Sequence, residues 1–204
     1  MILLPAAMER FFCCKLCLPV YLFALVYSIG PMLGQCWNFY YTVSWWDKLL
    51  HASGGVMFAI VGAYFFERLI KRKDQFLACA IFALCFSVTI AVLWEFAEFG
   101  ADRFLGMDMQ RDVVITNLTS YLLGDGVGVT GCIDHIWSVA VNGVPLPVNG
   151  YIDIGLTDSM LDMMLESFGA LITSFLLLLD KGRHPLIRED RLRQTAADKR
   201  RDKK

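Results

Sequence analysis

The chain of 204 residues is poor in charge: only 19% of its residues are Asp, Glu, Lys or Arg, against a usual value of about 25%. Six prolines and sixteen glycines are too few for a collagen-like repeat. A disordered chain needs low hydrophobicity, yet 56% of the residues here are hydrophobic and the mean hydropathy is +0.50. Seven cysteines over this length do not make a disulfide miniprotein. No internal repeat, P-loop or dinucleotide fingerprint occurs. Cys14-x-x-Cys17 lies in an apolar stretch without partner ligands and is no metal knuckle. These absences leave one domain's worth of unusually apolar chain.

What is present is long apolar runs. A membrane-spanning helix needs about 20 mostly apolar residues, at about 1.5 Å each, to cross a core of about 30 Å. Residues 11–33, 49–70 and 76–99 meet this, and 158–179 meets it if the helix carries Asp158, Asp162 and Glu166 with it. Helices of a soluble bundle would show a polar face at a 3.6-residue period, and the first and third runs have almost none. The expectation is an all-α, polytopic transmembrane helical bundle of about four spans, forming a single transmembrane domain over 1–180. The first run is long and has no small-x-small cleavage site, so it reads as a retained span.

Basic residues set the expected orientation. Sixteen of the nineteen lie at the start of the first run (Arg10 and Lys15), around the link between the second and third (Arg68, Lys71, Arg72 and Lys73) or in the tail 181–204. Both termini are therefore expected in the cytoplasm, with the protein in the inner membrane. Trp37, Tyr40, Tyr41, Trp45 and Trp46 then form an outer aromatic belt. The outer loop 100–157 holds Asn142-Gly143 between apolar residues, the signal of a β-hairpin, and 113–123 reads as a short interfacial helix. Cys36 and Cys132 share that oxidising side and are expected to form a disulfide. Asn117-Leu118-Thr119 matches a glycosylation sequon, relevant only in a eukaryotic secretory pathway.

The chemistry-bearing residues cluster at the outer ends of three runs. Asp47 and His51 are four apart; Glu95, Glu98 and Asp102 are three and four apart; Asp158, Asp162 and Glu166 are four and four apart. On a helix each set shares one face. Charges in a bilayer cost on the order of 3 kcal/mol each on insertion scales, so such stripes face a bundle interior and carry function. Lys48 and Arg103 are the only cations nearby in sequence.

Two chemistries fit. Asp47, His51, Glu95, Glu98, Asp158 and Asp162 would hold a divalent metal ion of open identity, with Asp102 and Glu166 as carboxylates that move protons. The enzyme so built is a hydrolase or transferase acting on a membrane-associated, lipid-linked substrate. Alternatively the stripes form an ion or proton pathway of a transporter, or a polar cluster of a structural or assembly subunit. The lipid bilayer is the expected partner, with homo- or hetero-oligomers open; nothing in the pattern points to nucleic acid.

The same residues carry a family resemblance. WDKLLHASGG resembles the Asp-Lys-x-x-His entry of VanZ-like membrane proteins. WEFAEFGAD and GLTDSMLDMMLESFGAL are similar to the Trp-Glu-x-x-Glu and Asp-x-x-x-Asp segments of predicted inner-membrane proteins called YjdF-like. VanZ-like proteins usually carry Gln at the position of Glu98 and Asn near Glu166. The resemblance implies a polytopic bacterial membrane protein and supports Asp47, His51, Glu95, Glu98, Asp158 and Asp162. It names no reaction.

Overall fold

The computed structural model describes residues 18–70 and 75–180. Five helices dominate: α1 (Leu18–Cys36), α2 (Phe39–Thr42), α3 (Trp46–Leu69), α4 (Phe76–Leu105) and α5 (Leu156–Asp180). Three are long and apolar enough to cross a membrane: α3 over Trp46–Glu67, and α4 and α5 over their whole lengths. Of the fourth expected span, α1 is apolar over Tyr21–Cys36, and residues 11–17 lie outside the described residues. So do the tail 181–204 and residues 71–74, which carry most of the basic residues behind the expected orientation.

The chain divides into two compact units, Trp94–Leu161 and the remainder, with the divisions falling inside α4 and α5. In the larger unit the burial pattern is the reverse of a soluble protein's. The core is Ala59, Ala63, Ala83 and Ala170, while Leu77, Ile81, Leu171 and Phe175 are exposed. Lipid tails are as apolar as leucine, so spans gain little by hiding large side chains and associate instead through small residues that let backbones approach.

Gly55 and Gly169 mark that approach. A Cβ on Gly55 would collide with the carbonyl oxygen of Glu166, and one on Gly169 would lie 2.5 Å from the carbonyl oxygen of Ala52. Helices α3 and α5 therefore meet backbone to backbone beside His51 and Glu166. Ser87 in α4, fully buried, donates to the Gly55 carbonyl at 3.1 Å and satisfies a hydroxyl that lipid could not. Phe65 and Phe66 pack against Phe86 and Phe82.

The smaller unit carries three two-stranded antiparallel sheets: β1 (Val114–Ile115) with β6 (Tyr151–Ile152), β2 (Leu118–Ser120) with β3 (Gly131–Ile133), and β4 (Ala140–Val141) with β5 (Val144–Pro145). Asn142 and Gly143 join β4 to β5 with φ of 52° and 80°. The left-handed region suits Asn and Gly best. The helix expected over 113–123 is absent. Its β-branched Val113-Val114-Ile115-Thr116 run favours extended backbone, and only Tyr121–Leu123 closes a single 3-10 turn. The expected Cys36–Cys132 disulfide is not formed: both thiols are free and exposed, and the Cys132 Sγ lies 3.2 Å from Asp134 Oδ1.

Candidate functional site

The larger unit builds a cluster from two helix faces. Asp47 and His51 sit one turn apart at the start of α3, where the helix dipole favours the Asp47 carboxylate. Asp162 and Glu166 sit one turn apart on α5. The glycine contacts hold these faces together. His51, Asp162 and Glu166 are buried, with relative exposures of 9%, 1% and 4%.

His51 uses both ring nitrogens toward carboxylates. Its Nε2 lies 3.9 Å from Asp47 Oδ1 and 3.8 Å from Asp162 Oδ2. Its Nδ1 lies 3.8 Å from Glu166 Oε2. One ligand-type atom each from Asp47, His51 and Asp162 falls within 4.8 Å of the other two. Metal–ligand bonds of about 2–2.6 Å put opposed ligands about 4–5 Å apart, so a single ion fits that triangle by size.

Lys48 completes the electrostatics. Its Nζ donates to both oxygens of Asp162, at 2.8 and 3.0 Å, and lies 3.7 Å from Asp47 Oδ2. Three carboxylates of the larger unit thus lie within 4 Å of one lysine or one histidine. Glu166 Oε1 is buried and has no hydrogen-bond partner among the described residues. Such an atom ordinarily costs about 1–3 kcal/mol. The Tyr27 hydroxyl borders the cluster, donating to the Leu50 carbonyl and lying 3.3 Å from Ser53 Oγ. Tyr27 and Ser53 were not singled out from sequence; a tyrosine within an apolar run and a serine two residues after His51 were the available signals.

The other expected site residues belong to the smaller unit. Glu95 and Glu98 are buried on α4, and Glu98 Oε1 accepts from Trp94 Nε1 at 2.8 Å, one turn back on the same helix. Asp102 accepts the backbone N–H groups of Met109 and Gln110, at 2.6 and 2.8 Å. Asp158, also buried, accepts the Arg111 N–H at 3.0 Å. Asp153 accepts from Val113 and Thr157 N–H at 3.0 and 2.8 Å. These three aspartates tether the loop that follows α4. Partial burial would raise Asp153, but hydrogen bonds from the Thr157 side chain and from the backbone of Val113, Thr157 and Gly155 outweigh it and hold the carboxyl below its usual range. Asp112 goes the other way, pushed up by desolvation and by the charges of Asp108, Asp153 and Asp102.

The family model described as "Predicted membrane protein (DUF2238)" matches residues 1–183, which include all of this geometry. The chain belongs to this family. It is a membrane protein with several membrane-capable helices. A relative from Thermotoga maritima, named "Uncharacterized protein", is 36% identical over 81 residues. That match covers 38% of this chain and 40% of the relative, so the chain spans well under half of the relative's length. No solved structure matches the DUF2238 chain.

Proposed function

We propose that this DUF2238 protein binds a divalent cation within the membrane-spanning helices and uses it as a hydrolase or transferase on a membrane-associated substrate, a lipid-linked phosphate being the chemistry that suits such an ion. The observation that carries the reading is the Asp47–His51–Asp162 triangle, with three ligand atoms mutually within 4.8 Å. Asp47 and Asp162 supply oxygens and His51 supplies Nε2. Glu166, on the Nδ1 side, orients the imidazole as carboxylates do for metal-bound histidines. Of the six ligands the sequence suggests, this reading draws on the three that the larger unit brings together. Glu98 and Asp158 already accept hydrogen bonds within the smaller unit, and Asp102 serves its loop.

Oxygen and one imidazole suit Mg²⁺, Mn²⁺, Ca²⁺ or Zn²⁺. The distribution of basic residues supports an inner-membrane protein with both termini cytoplasmic and the site at the outer side. The resemblance of these segments to VanZ-like and YjdF-like proteins supports a polytopic membrane protein and no particular orientation. Elemental analysis of protein purified without chelator, beside Asp47→Ala and Asp162→Ala variants, tests the reading. About one equivalent of metal in the wild type and loss in both variants is the expected result; no metal in the wild type, and none taken up on titration, sinks it. Phosphate release from a lipid-linked phosphate, abolished by Asp162→Asn, tests the reaction.

One observation favours a second reading. A lysine paired with a buried carboxylate between spans, as Lys48 is with Asp162, also suits an ion- or proton-coupled transporter. Ion flux into vesicles carrying the purified protein, without phosphate release, selects it. A structural or assembly subunit would show neither.

A further inference from the structure

We infer that Lys48 is a tethered cation that competes with the divalent ion for Asp162, so that the site fills only when the lysine swings out. The inference rests on the metal reading above and deepens it. Lys48 Nζ contacts both oxygens of Asp162, including Oδ2, the oxygen that faces His51 Nε2. An ammonium and a divalent ion held on the same two oxygens repel each other at close range, so each weakens the hold of the other on Asp162.

The two partners differ in their freedom to move. Asp162 is 1% exposed and fixed on α5, whereas the Lys48 side chain is 27% exposed and carries its charge on a flexible four-carbon stem. When something must leave, it is the lysine. On the other side of the imidazole the Glu166 side chain, 5% exposed, lies 3.8 Å from His51 Nδ1 and keeps Oε1 without a hydrogen-bond partner among the described residues. Lys48 answers the charge of Asp162 and leaves that oxygen unanswered. Displacement of Lys48 would also remove one positive charge from the cluster as two arrive, so the net gain is one charge instead of two.

The test is Mn²⁺ titration of the purified full-length protein in detergent, read by electron paramagnetic resonance. Lys48→Met should bind Mn²⁺ at least tenfold more tightly than the wild type, while Lys48→Arg, which keeps the charge, should bind no more tightly. Equal or weaker binding by a folded Lys48→Met overturns the inference and leaves the metal site standing. No Mn²⁺ binding by the wild type or by either variant overturns both. A wild-type measurement covers the case in which the variants do not fold. Saturating Mn²⁺ should raise acylation of Lys48 by an amine-reactive reagent several-fold, read by peptide mass spectrometry. Unchanged labelling under saturation overturns the inference.

Discussion

Lys48 spans both carboxylate oxygens of Asp162, at 2.8 and 3.0 Å, although the two residues stand 114 positions apart in the chain. The pair is lopsided, with a buried acid and a half-buried base. Removing the base strands a charge that water scarcely reaches, whereas removing the acid leaves a partly exposed lysine beside the Asp47 carboxylate.

That asymmetry fixes an order of stabilities. Without added metal, Lys48→Met should melt lower than Asp162→Ala in the same detergent. The cost should be on the order of 2–3 kcal/mol, below the about 3–5 kcal/mol of a fully buried pair because Lys48 is partly exposed. Added Mn²⁺ should restore the melting temperature of Lys48→Met and leave Asp162→Ala where it was. The reverse order of melting would show that Lys48 is the constrained member.

Glu166→Gln probes the far side of the imidazole. The amide cannot carry the charge that steadies an Nδ1–H, so Mn²⁺ affinity should fall by about 10–100-fold without disappearing. Complete loss of binding at unchanged fold would instead make Glu166 a direct ligand, and isothermal titration distinguishes the two.

The close approach of α3 and α5 gives a packing prediction. Gly55→Ala places a methyl group on the Glu166 carbonyl oxygen and should destabilise by about 1–3 kcal/mol, the usual cost of overpacking, and weaken metal binding with it. Gly100→Ala is the matched control. Its new methyl meets nothing within 4 Å, so helix propensity alone should make it neutral or stabilising by about 0.5–1 kcal/mol. Thermal unfolding of both variants checks the contrast.

In the smaller unit, two aspartates should respond to pH with opposite signs. Asp153 is held below 3.8, so its ionised form stabilises the fold at neutral pH, and that contribution is lost as pH falls through its lowered value. Asp112 is raised above 3.8, so its ionisation opposes folding at neutral pH and does not do so below about 3.8. Limited proteolysis of the loop should show more protection for Asp112→Asn and less for Asp153→Asn at pH 7. The Asp112→Asn advantage should vanish at pH 3.

Much of this was legible in the chain. Apolar length alone marks α3 and α4, and marks α5 once Asp158, Asp162 and Glu166 are counted in, because a spanning helix must satisfy its backbone internally and can be read by counting. The spacing of Asp47 with His51 and of Asp162 with Glu166 announces two faces that share charge. Lys48 was legible as a nearby cation for the carboxylates, but its pairing with Asp162 was not: it is one residue past Asp47, about 100° round the helix, and the reach of its stem brings it to Asp162. Nor were the aspartates of the smaller unit separable by spacing. Asp102 and Asp158 look like stripe members, and only the backbone N–H groups they accept show them tethering a loop. The 113–123 segment misled because periodicity over so few residues cannot outvote β-branching.

The contact of Gly55 with the Glu166 carbonyl has a kinetic consequence. Two backbones that touch leave no slack for one helix to slide or roll past the other without steric collision. Collective helix shifts take microseconds to milliseconds, whereas an exposed side chain changes rotamer in picoseconds to nanoseconds. The four-carbon stem of Lys48 is then the part of the ion pair with room to move, set between two backbones that have none.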